Sequence, residues 1–250
     1  MTKPDTLSKV PAVTLLFWIL KIFATTLGET GGDAVSMTMN LGYALASIIF
    51  IALFFIAVFI QISVKKFHPF LYWAVIVATT TAGTTMADFA DRSLGIGYTG
   101  GSSLLFVLLL LSLGVWYWST GSVSVETVTT PKVEMFYWVT IMFSQTLGTA
   151  LGDWTADSAG LGYRGGIILF GSLLALLATA YYWTKLSRTA LFWAAFILTR
   201  PLGAVVGDFL DKPIADHGLN LSRFTASAVL TGLILAGILF FKQSPARRSH

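Results

Sequence analysis

Cysteine is absent from this chain of 250 residues, and charged residues make up only 11% of it. Without thiols the chain forms no disulfide, no thiolate metal site and no cysteine nucleophile. Soluble domains carry about 25% charged residues, whereas this chain is 55% hydrophobic with a mean hydropathy of +0.76. The composition therefore predicts an integral membrane protein and argues against a soluble enzyme.

Histidine is also scarce, and its three positions do not have the spacing of a metal-binding pair: His68, His217 and His250. The sequence contains no Ser/His/Asp set, no HExxH motif and no phosphate-binding loop. We therefore expect no enzyme, no zinc site and no resident cofactor. The net charge is +4, but the basic residues are not clustered, so we expect no nucleic-acid partner.

One sequence unit occurs four times. In each copy an aromatic residue precedes a Trp, a Gly follows ten residues after the Trp, and an Asp follows fifteen residues after it. Such a constant register indicates one structural unit used repeatedly. The copies are Phe17-Trp18 with Gly28 and Asp33, Tyr72-Trp73 with Gly83 and Asp88, Tyr137-Trp138 with Gly148 and Asp153, and Phe192-Trp193 with Gly203 and Asp208.

Eight apolar segments have the length of about 20 residues that a membrane-spanning helix needs. We therefore predict an all-α integral membrane protein with eight transmembrane helices, built as four tandem two-helix repeats. The first helix of each repeat carries the Trp, Gly and Asp, and the second is almost purely apolar. The predicted helices are 12–32, 42–63, 70–90, 101–119, 134–154, 165–184, 189–209 and 222–241.

The copies alternate in type along the chain. Copies one and three share Thr-Leu-Gly before the Asp, and copies two and four share Asp-Phe-x-Asp. This A-B-A-B order indicates two duplications and a pseudo-twofold axis along the membrane normal, because every repeat has an even number of spans. The predicted divisions are an N-tail (1–11), a first half (12–119), a polar linker (120–133), a second half (134–241) and a C-tail (242–250).

Lys and Arg are distributed unequally between the two predicted sides of the membrane. Ten lie on the side that holds both termini and four on the other side. The positive-inside rule then places both termini of a multi-pass membrane protein in the cytoplasm. The repeat Trp residues, with Trp116, Trp118 and Trp183, would form an aromatic belt at the cytoplasmic interface.

The repeat resembles a bacterial membrane-protein repeat family of unknown function, over residues 12–241. That family is built from four tandem two-helix copies, each with a Trp and a Gly-Asp pair. Copies one, three and four keep Gly-Asp, and copy two has Ala87-Asp88 instead. The resemblance supports the fold, implies a location in a bacterial inner membrane, and implies no particular activity.

A polar or small-residue stripe lies on one face of each odd-numbered helix, in register with the Asp. Such a face cannot contact lipid, so we expect these four helices to line a common interior, surrounded by the apolar even-numbered helices. The predicted pathway-lining residues are Thr25, Thr80, Thr84, Gln145 and Thr149. The predicted cation-binding residues are Asp33, Asp88, Asp153 and Asp208, which would also be the metal ligands, with Glu29, Asp91 and Asp211.

The sequence alone leaves three functions open. The leading hypothesis is a transporter of a small cation, either a divalent metal such as Mn²⁺, Mg²⁺ or Ca²⁺ or one coupled to protons, because oxygen ligands without thiols suit hard cations. In it, Lys21 and Arg200 compensate charge. The alternative is a non-transporting scaffold, or a binder of lipid or a partner, whose repeat residues serve helix packing. A less favoured option is an intramembrane enzyme with paired Asp residues. A homo-oligomer is compatible with all three.

Overall fold

A computed structural model of the chain describes residues 8–246. Parts of both predicted tails, with Lys3, Arg247 and Arg248 that count toward the predicted orientation, lie outside the described residues. Within that range eight long helices follow the predicted segments. They are α1 (Leu15–Asp33), α2 (Gly42–Ser63), α3 (Pro69–Asp88), α4 (Tyr98–Thr120), α5 (Pro131–Asp153), α6 (Gly162–Trp183), α7 (Arg188–Asp211) and α8 (Arg223–Phe240).

Six helices between residues 8 and 246 are long and apolar enough to cross a membrane, namely α2, α3, α4, α6, α7 and α8. The other two, α1 and α5, have 19 and 23 residues. They carry more polar side chains, among them Lys21 and Glu29 in α1 and Gln145 in α5, and these are buried. The membrane character of the chain is therefore confirmed through six helices, and the number of eight spans stays a prediction.

Each odd-numbered helix begins at a polar side chain that caps its first turn. The backbone N–H of Phe17 donates to Thr14 Oγ1 at 3.4 Å, and α7 begins in the same way at Ser187. In α3 and α5 the cap is followed by a proline, which suits the first helical position because a backbone N–H there has no intrahelical acceptor to lose. Local sequence therefore determines where these helices begin.

The odd-numbered helices form a closed ring. α1 packs against α3, α3 against α5, α5 against α7, and α7 against α1. Each even-numbered helix lies outside the ring and packs mainly on the first helix of the next repeat: α2 on α3, α4 on α5, α6 on α7, and α8 on α1. The predicted inner and outer layers are confirmed. The repeats are also interleaved, which the sequence pattern did not predict.

Glycine allows the inner helices to approach closely at four equivalent points. Each repeat Gly, which lies ten residues after its Trp, contacts the next inner helix. The residue that it contacts there lies seven residues after the Trp of that helix. A Cβ atom on Gly83 would lie only 2.9 Å from the carbonyl carbon of Gln145, and backbone cannot turn aside as a side chain can. The four contacts join Gly28 to Thr80, Gly83 to Gln145, Gly148 to Arg200 and Gly203 to Thr25.

The repeat Trp residues lie at the end of the ring where the odd-numbered helices begin, here called the Trp end. Three of them are at most 5% exposed: Trp73, Trp138 and Trp193. Trp116 is fully buried, and its ring lies 5.8 Å from that of Trp193. The predicted aromatic belt is therefore wrong for these residues, because their rings pack inside the protein. Trp118 and Trp183 are 89% and 81% exposed, as a belt would require.

The segment before α1, the linker between α4 and α5, and the segment after α8 meet over the Trp end. The backbone N–H of Lys9 donates to Val128 O at 3.1 Å, and that of Ala246 donates to Val10 O at 2.8 Å. The Lys9 ammonium forms a buried ion pair of 2.6 Å with Glu134. The predicted polar linker is thus packed structure that covers this end of the ring.

At the opposite end, here called the Asp end, three inner helices pass into a π-helical turn directly after the repeat Asp. The turns are Ala34–Thr38, Phe89–Ser93 and Trp154–Ser158. In copy four the α-helix instead continues to Asp211. Because π-helical turns occur frequently at functional sites, this end of the ring is the first place to look for one.

Candidate functional site

Two layers of buried polar side chains follow one another along the ring, and together they contain every site residue that the sequence predicts. In both layers no residue is more than 9% exposed. The central layer, midway along the inner helices, contains Lys21, Thr25, Glu29, Thr80, Thr84, Gln145, Thr149 and Arg200. The Asp layer, at the Asp end, contains Asp33, Asp88, Asp91, Asp153, Asp208 and Asp211.

Arg200 connects α7 to the three other inner helices. Its Nη2 lies 3.0 Å from Glu29 Oε2 and 2.5 Å from Thr84 Oγ1, and it also donates to Thr149 Oγ1. The three acceptors belong to α1, α3 and α5. The helix continues through Pro201. One guanidinium therefore holds the centre of the ring together and satisfies the only carboxylate of the central layer.

Lys21 is fully buried without a carboxylate partner among the described residues. Its ammonium lies 3.5 Å from Gln145 Oε1 and 4.2 Å from the centroid of the Phe196 ring, a cation–π contact. Glu29 pairs with Arg200 and not with Lys21. Of the two predicted charge-compensating residues, Arg200 is thus paired directly and Lys21 is not.

Arg92 lies between the Asp residues of copies two and three. Its Nε is 2.9 Å from Asp88 Oδ1, and its Nη2 is 3.4 Å from Asp153 Oδ2. The Arg92 side chain is 33% exposed, whereas the two carboxylates are almost completely buried. The guanidinium therefore covers this pair of carboxylates from the mouth of the ring.

Lys212 lies in the same way between the Asp residues of copies four and one. Its ammonium is 2.5 Å from Asp33 Oδ2 and 3.0 Å from Asp208 Oδ1. Burial on its own lowers the pKa of Lys212, but Asp208, Asp33 and Asp211 outweigh it and raise that pKa well above its ordinary value. The ammonium is therefore charged, and the four repeat carboxylates form two pairs of neighbours, each bridged by one cation.

The two remaining carboxylates of the Asp layer differ in their partners. Asp211 Oδ2 accepts from Arg223 Nε at 3.0 Å, while its Oδ1 is buried without a hydrogen-bond partner in residues 8–246. Arg223 Nη2 also lies 3.6 Å from Asp33 Oδ2. Asp91 has no cation within ion-pair distance in that range, and its Oδ1 has no hydrogen-bond partner there. The Asp layer therefore retains unused acceptor oxygens.

Carboxylate oxygens converge at two points in a geometry that can hold a metal ion. Glu29, Asp33 and Asp88 form one group, and Asp33, Asp208 and Asp211 form the other. In each group, one oxygen from every residue lies within 4.8 Å of the others. Asp33 belongs to both groups, so a cation could move between them while keeping one ligand. Asp153 belongs to neither.

The charge balance differs sharply along the ring. In the described chain, five buried carboxylates of the Asp layer share three cations, which are Arg92, Lys212 and Arg223. Asp91 instead lies against Gly101 of the outer helix α4. The central layer instead has two cations, Lys21 and Arg200, and one carboxylate, Glu29. Buried charge is costly unless it is compensated. The Asp layer therefore attracts positive charge, and the central layer opposes it.

Sequence reasoning missed Arg92, Lys212 and Arg223 as parts of the site. Arg92 and Lys212 each follow a repeat Asp by four residues, and that spacing places opposite charges side by side on a helix. This signal was available in the sequence. Arg223 belongs to an outer helix and reaches the ring only through the packing of α8 on α1, for which no local pattern exists.

Comparisons with known proteins bear on the architecture and not on the chemistry. No curated protein and no solved structure matches the chain. The family described as Repeat of Unknown Function (DUF347) matches four times, at residues 16–67, 71–122, 136–187 and 191–244. Each match covers both helices of one repeat, which confirms the resemblance predicted from the sequence. The chain therefore belongs to the DUF347 repeat family.

Proposed function

We propose that the protein transports a small cation across a membrane and that the Asp layer binds this cation. The charge excess carries the proposal: five buried carboxylates share only three cations in the described residues. A divalent metal ion or protons would supply the missing positive charge. Because the ligands are all oxygens, the metals that suit the site are Mg²⁺, Mn²⁺ and Ca²⁺.

In the proposed arrangement all eight helices span a bacterial inner membrane, with both ends of the chain in the cytoplasm. The excess of Lys and Arg on the side of the Trp end supports this orientation. The polar residues of α1 and α5 are compatible with spanning because they face the interior of the ring. The Asp end would then face outward and receive the cation.

The protein's own cations occupy the carboxylates that the transported ion would use. Lys212 and Arg92 lie at the mouth of the ring, with side chains 11% and 33% exposed. An entering cation competes with them for Asp33 and Asp88, and moving deeper requires Arg200 to release Glu29. The site would thus change its ion pairs at each step without leaving carboxylates uncompensated.

Aromatic side chains close the opposite end of the ring. The hydroxyl groups of Tyr72 and Tyr137 lie 2.6 Å apart, and the rings of Phe17 and Phe192 have centroids 6.2 Å apart. A cation bound in the Asp layer therefore meets a closed apolar layer on the far side. This favours alternating access, which needs a conformational change at the Trp end, over a continuous pore.

The test is cation uptake by the full chain reconstituted in proteoliposomes, measured for Mn²⁺, Mg²⁺, Ca²⁺ and protons. Asp33→Asn removes the residue shared by both carboxylate groups, and we expect it to abolish the flux. Asp216→Asn changes an exposed carboxylate outside the ring and should transport normally. If no tested cation moves, or if flux survives in the Asp33→Asn protein, the proposal is wrong.

A non-transporting scaffold is the second candidate, and the glycine contacts between inner helices favour it. Each of the four contacts brings a Gly against the neighbouring helix, as close packing alone would require. In that case Asp33→Asn would lower the folded yield without changing any flux. The same proteoliposome series, with the folded fraction measured by size exclusion, therefore separates the two functions.

A further inference from the structure

We propose that the central layer binds a small inorganic anion of the halide class, between Lys21, Gln145 and Arg200. This site is distinct from the carboxylate groups of the Asp layer. It does not depend on the proposed cation transport, because it follows from the charges and hydrogen-bond donors of a different part of the ring.

The first observation is that two buried basic side chains share a single carboxylate. Lys21 and Arg200 are both completely buried, and Glu29 is the only carboxylate of the central layer. Glu29 is already bound to Arg200 at 3.0 Å. A buried ammonium without a counter-charge is strongly destabilising. An anion beside Lys21 would remove that cost.

The second observation is an excess of buried hydrogen-bond donors. Arg200 Nε, Arg200 Nη1 and Gln145 Nε2 have no acceptor among the described residues, and the hydroxyl group of Thr80 has no partner there. The Lys21 ammonium has three N–H donors but makes one hydrogen bond, to Gln145 Oε1. All of these groups can donate a hydrogen bond, and an anion would accept hydrogen bonds from them without donating any.

The third observation limits the size of the ligand. Thr80, Gln145 and Arg200 each lie against a Gly of the neighbouring inner helix, at Gly28, Gly83 and Gly148. The helices are therefore in close contact at this level of the ring. Such close packing excludes a phosphate, a sulfate or an organic acid from this level of the ring, so we assign the site to the smallest anions, chloride or bromide.

Thermal unfolding of the full chain in detergent micelles tests the site, with chloride exchanged for gluconate at constant ionic strength. We expect chloride and bromide to raise the Tm saturably, by about 5 °C at roughly 100 times Kd. Lys21→Met should remove this dependence. Lys9→Met is the matched control, because it also deletes a buried lysine, but one paired with Glu134 at the Trp end.

Equal Tm values in chloride and gluconate would overturn the proposal, as would a chloride dependence that survives in Lys21→Met. If Lys21→Met does not fold, retention of chloride-36 by the unmodified protein decides the question. We expect about one chloride per chain, and no retention would refute the site. Asp33→Asn should keep the chloride effect, so failure of the cation proposal would leave this result standing.

Discussion

The Asp layer and the central layer follow one another along the same ring, yet they have opposite excesses of acidic and basic side chains. In the first, five carboxylates share three cations, and the second has two basic side chains and one carboxylate. Glu29 joins them, since it binds Arg200 and its carboxylate lies within 4.8 Å of those of Asp33 and Asp88. One scaffold therefore provides two electrostatic environments.

The difference between the layers arises from residues that the repeat does not share. The Gly and Asp positions recur in all four copies, and they build the ring and its acidic end. Lys21 stands where the other copies have Ile76, Ile141 and Phe196, and Arg200 stands where they have Thr or Gln. The residues shared by all copies therefore build the ring, and residues found in a single copy place the two basic side chains in the central layer.

The largest effect should come from removing Arg200. Arg200→Met deprives Glu29 of its only ion pair within residues 8–246 and leaves Thr84 and Thr149 without their donor. We expect the free energy of unfolding to fall by about 3–5 kcal/mol, as for other buried pairs that lose one partner. Equilibrium unfolding in mixed detergent micelles measures this change.

Two further variants separate charge from packing at this position. The double variant Arg200→Met/Glu29→Gln should recover part of the loss, because it removes the unpaired carboxylate as well. Arg164→Met changes an exposed arginine outside the ring and should leave stability unchanged. If Arg200→Met proves no less stable than Arg164→Met, the central layer does not depend on this ion pair.

The second-largest effect on stability tests whether the Asp layer has an excess of carboxylates over cations. Lys212→Met removes a cation that bridges Asp33 and Asp208, and we expect it to cost about 3 kcal/mol. Asp33→Asn removes a carboxylate from a region that already has too many, so it should cost less. The same unfolding measurement compares both variants, and an equal or larger loss for Asp33→Asn would contradict the assigned acidic excess.

A smaller effect should distinguish the glycine contacts of the two layers. Gly83→Ala forces a Cβ atom to 2.9 Å from backbone of α5, and we expect a loss of about 1–3 kcal/mol. Gly32→Ala, at the Asp end, meets the methyl group of Thr84 at 3.1 Å, and a side chain can move aside. Gly171→Ala meets nothing within 4 Å and is the control. Equal losses in the free energy of unfolding for Gly83→Ala and Gly32→Ala would contradict this difference between a backbone contact and a side-chain contact.

The smallest effect should be stabilisation by a bound divalent metal. At a Mn²⁺ or Mg²⁺ concentration of roughly ten times Kd, binding to the Asp layer should raise the free energy of unfolding by about 1.4 kcal/mol. Asp33→Asn and Asp211→Asn should abolish this gain, whereas Lys21→Met should keep it. If neither metal stabilises the unmodified protein, the cation that the Asp layer binds is the proton.

The number and approximate bounds of the helices could be predicted because hydrophobic segments and the repeat register are local signals. The predicted segment 42–63 and the helix Gly42–Ser63 coincide. The identity of the inner helices was also predictable, because a polar stripe that includes Asp33 cannot face lipid. These conclusions need only residues close together in the sequence.

Contacts between distant residues were not predictable in the same way. Arg200 and Glu29 are separated by 171 positions, and nothing near either residue indicates that they meet. The burial of Trp73 and Trp138 follows from packing across repeats and the covering of the Trp end, whereas an interfacial belt was the usual expectation for Trp in a membrane helix. Sequence patterns therefore identified the residues of the polar interior but not their partners.

The interleaving of the repeats has a consequence for assembly. Because α4 packs on α5 and α8 packs on α1, each half of the chain offers its last helix to the first helix of the other half. A shorter chain carrying only one A copy and one B copy would leave that last helix without a partner. Two such chains would satisfy each other by exchange and close the same ring as a symmetric dimer. The present chain has the arrangement of such a dimer joined covalently, with Lys21 and Arg200 differing from their counterparts in the other copies.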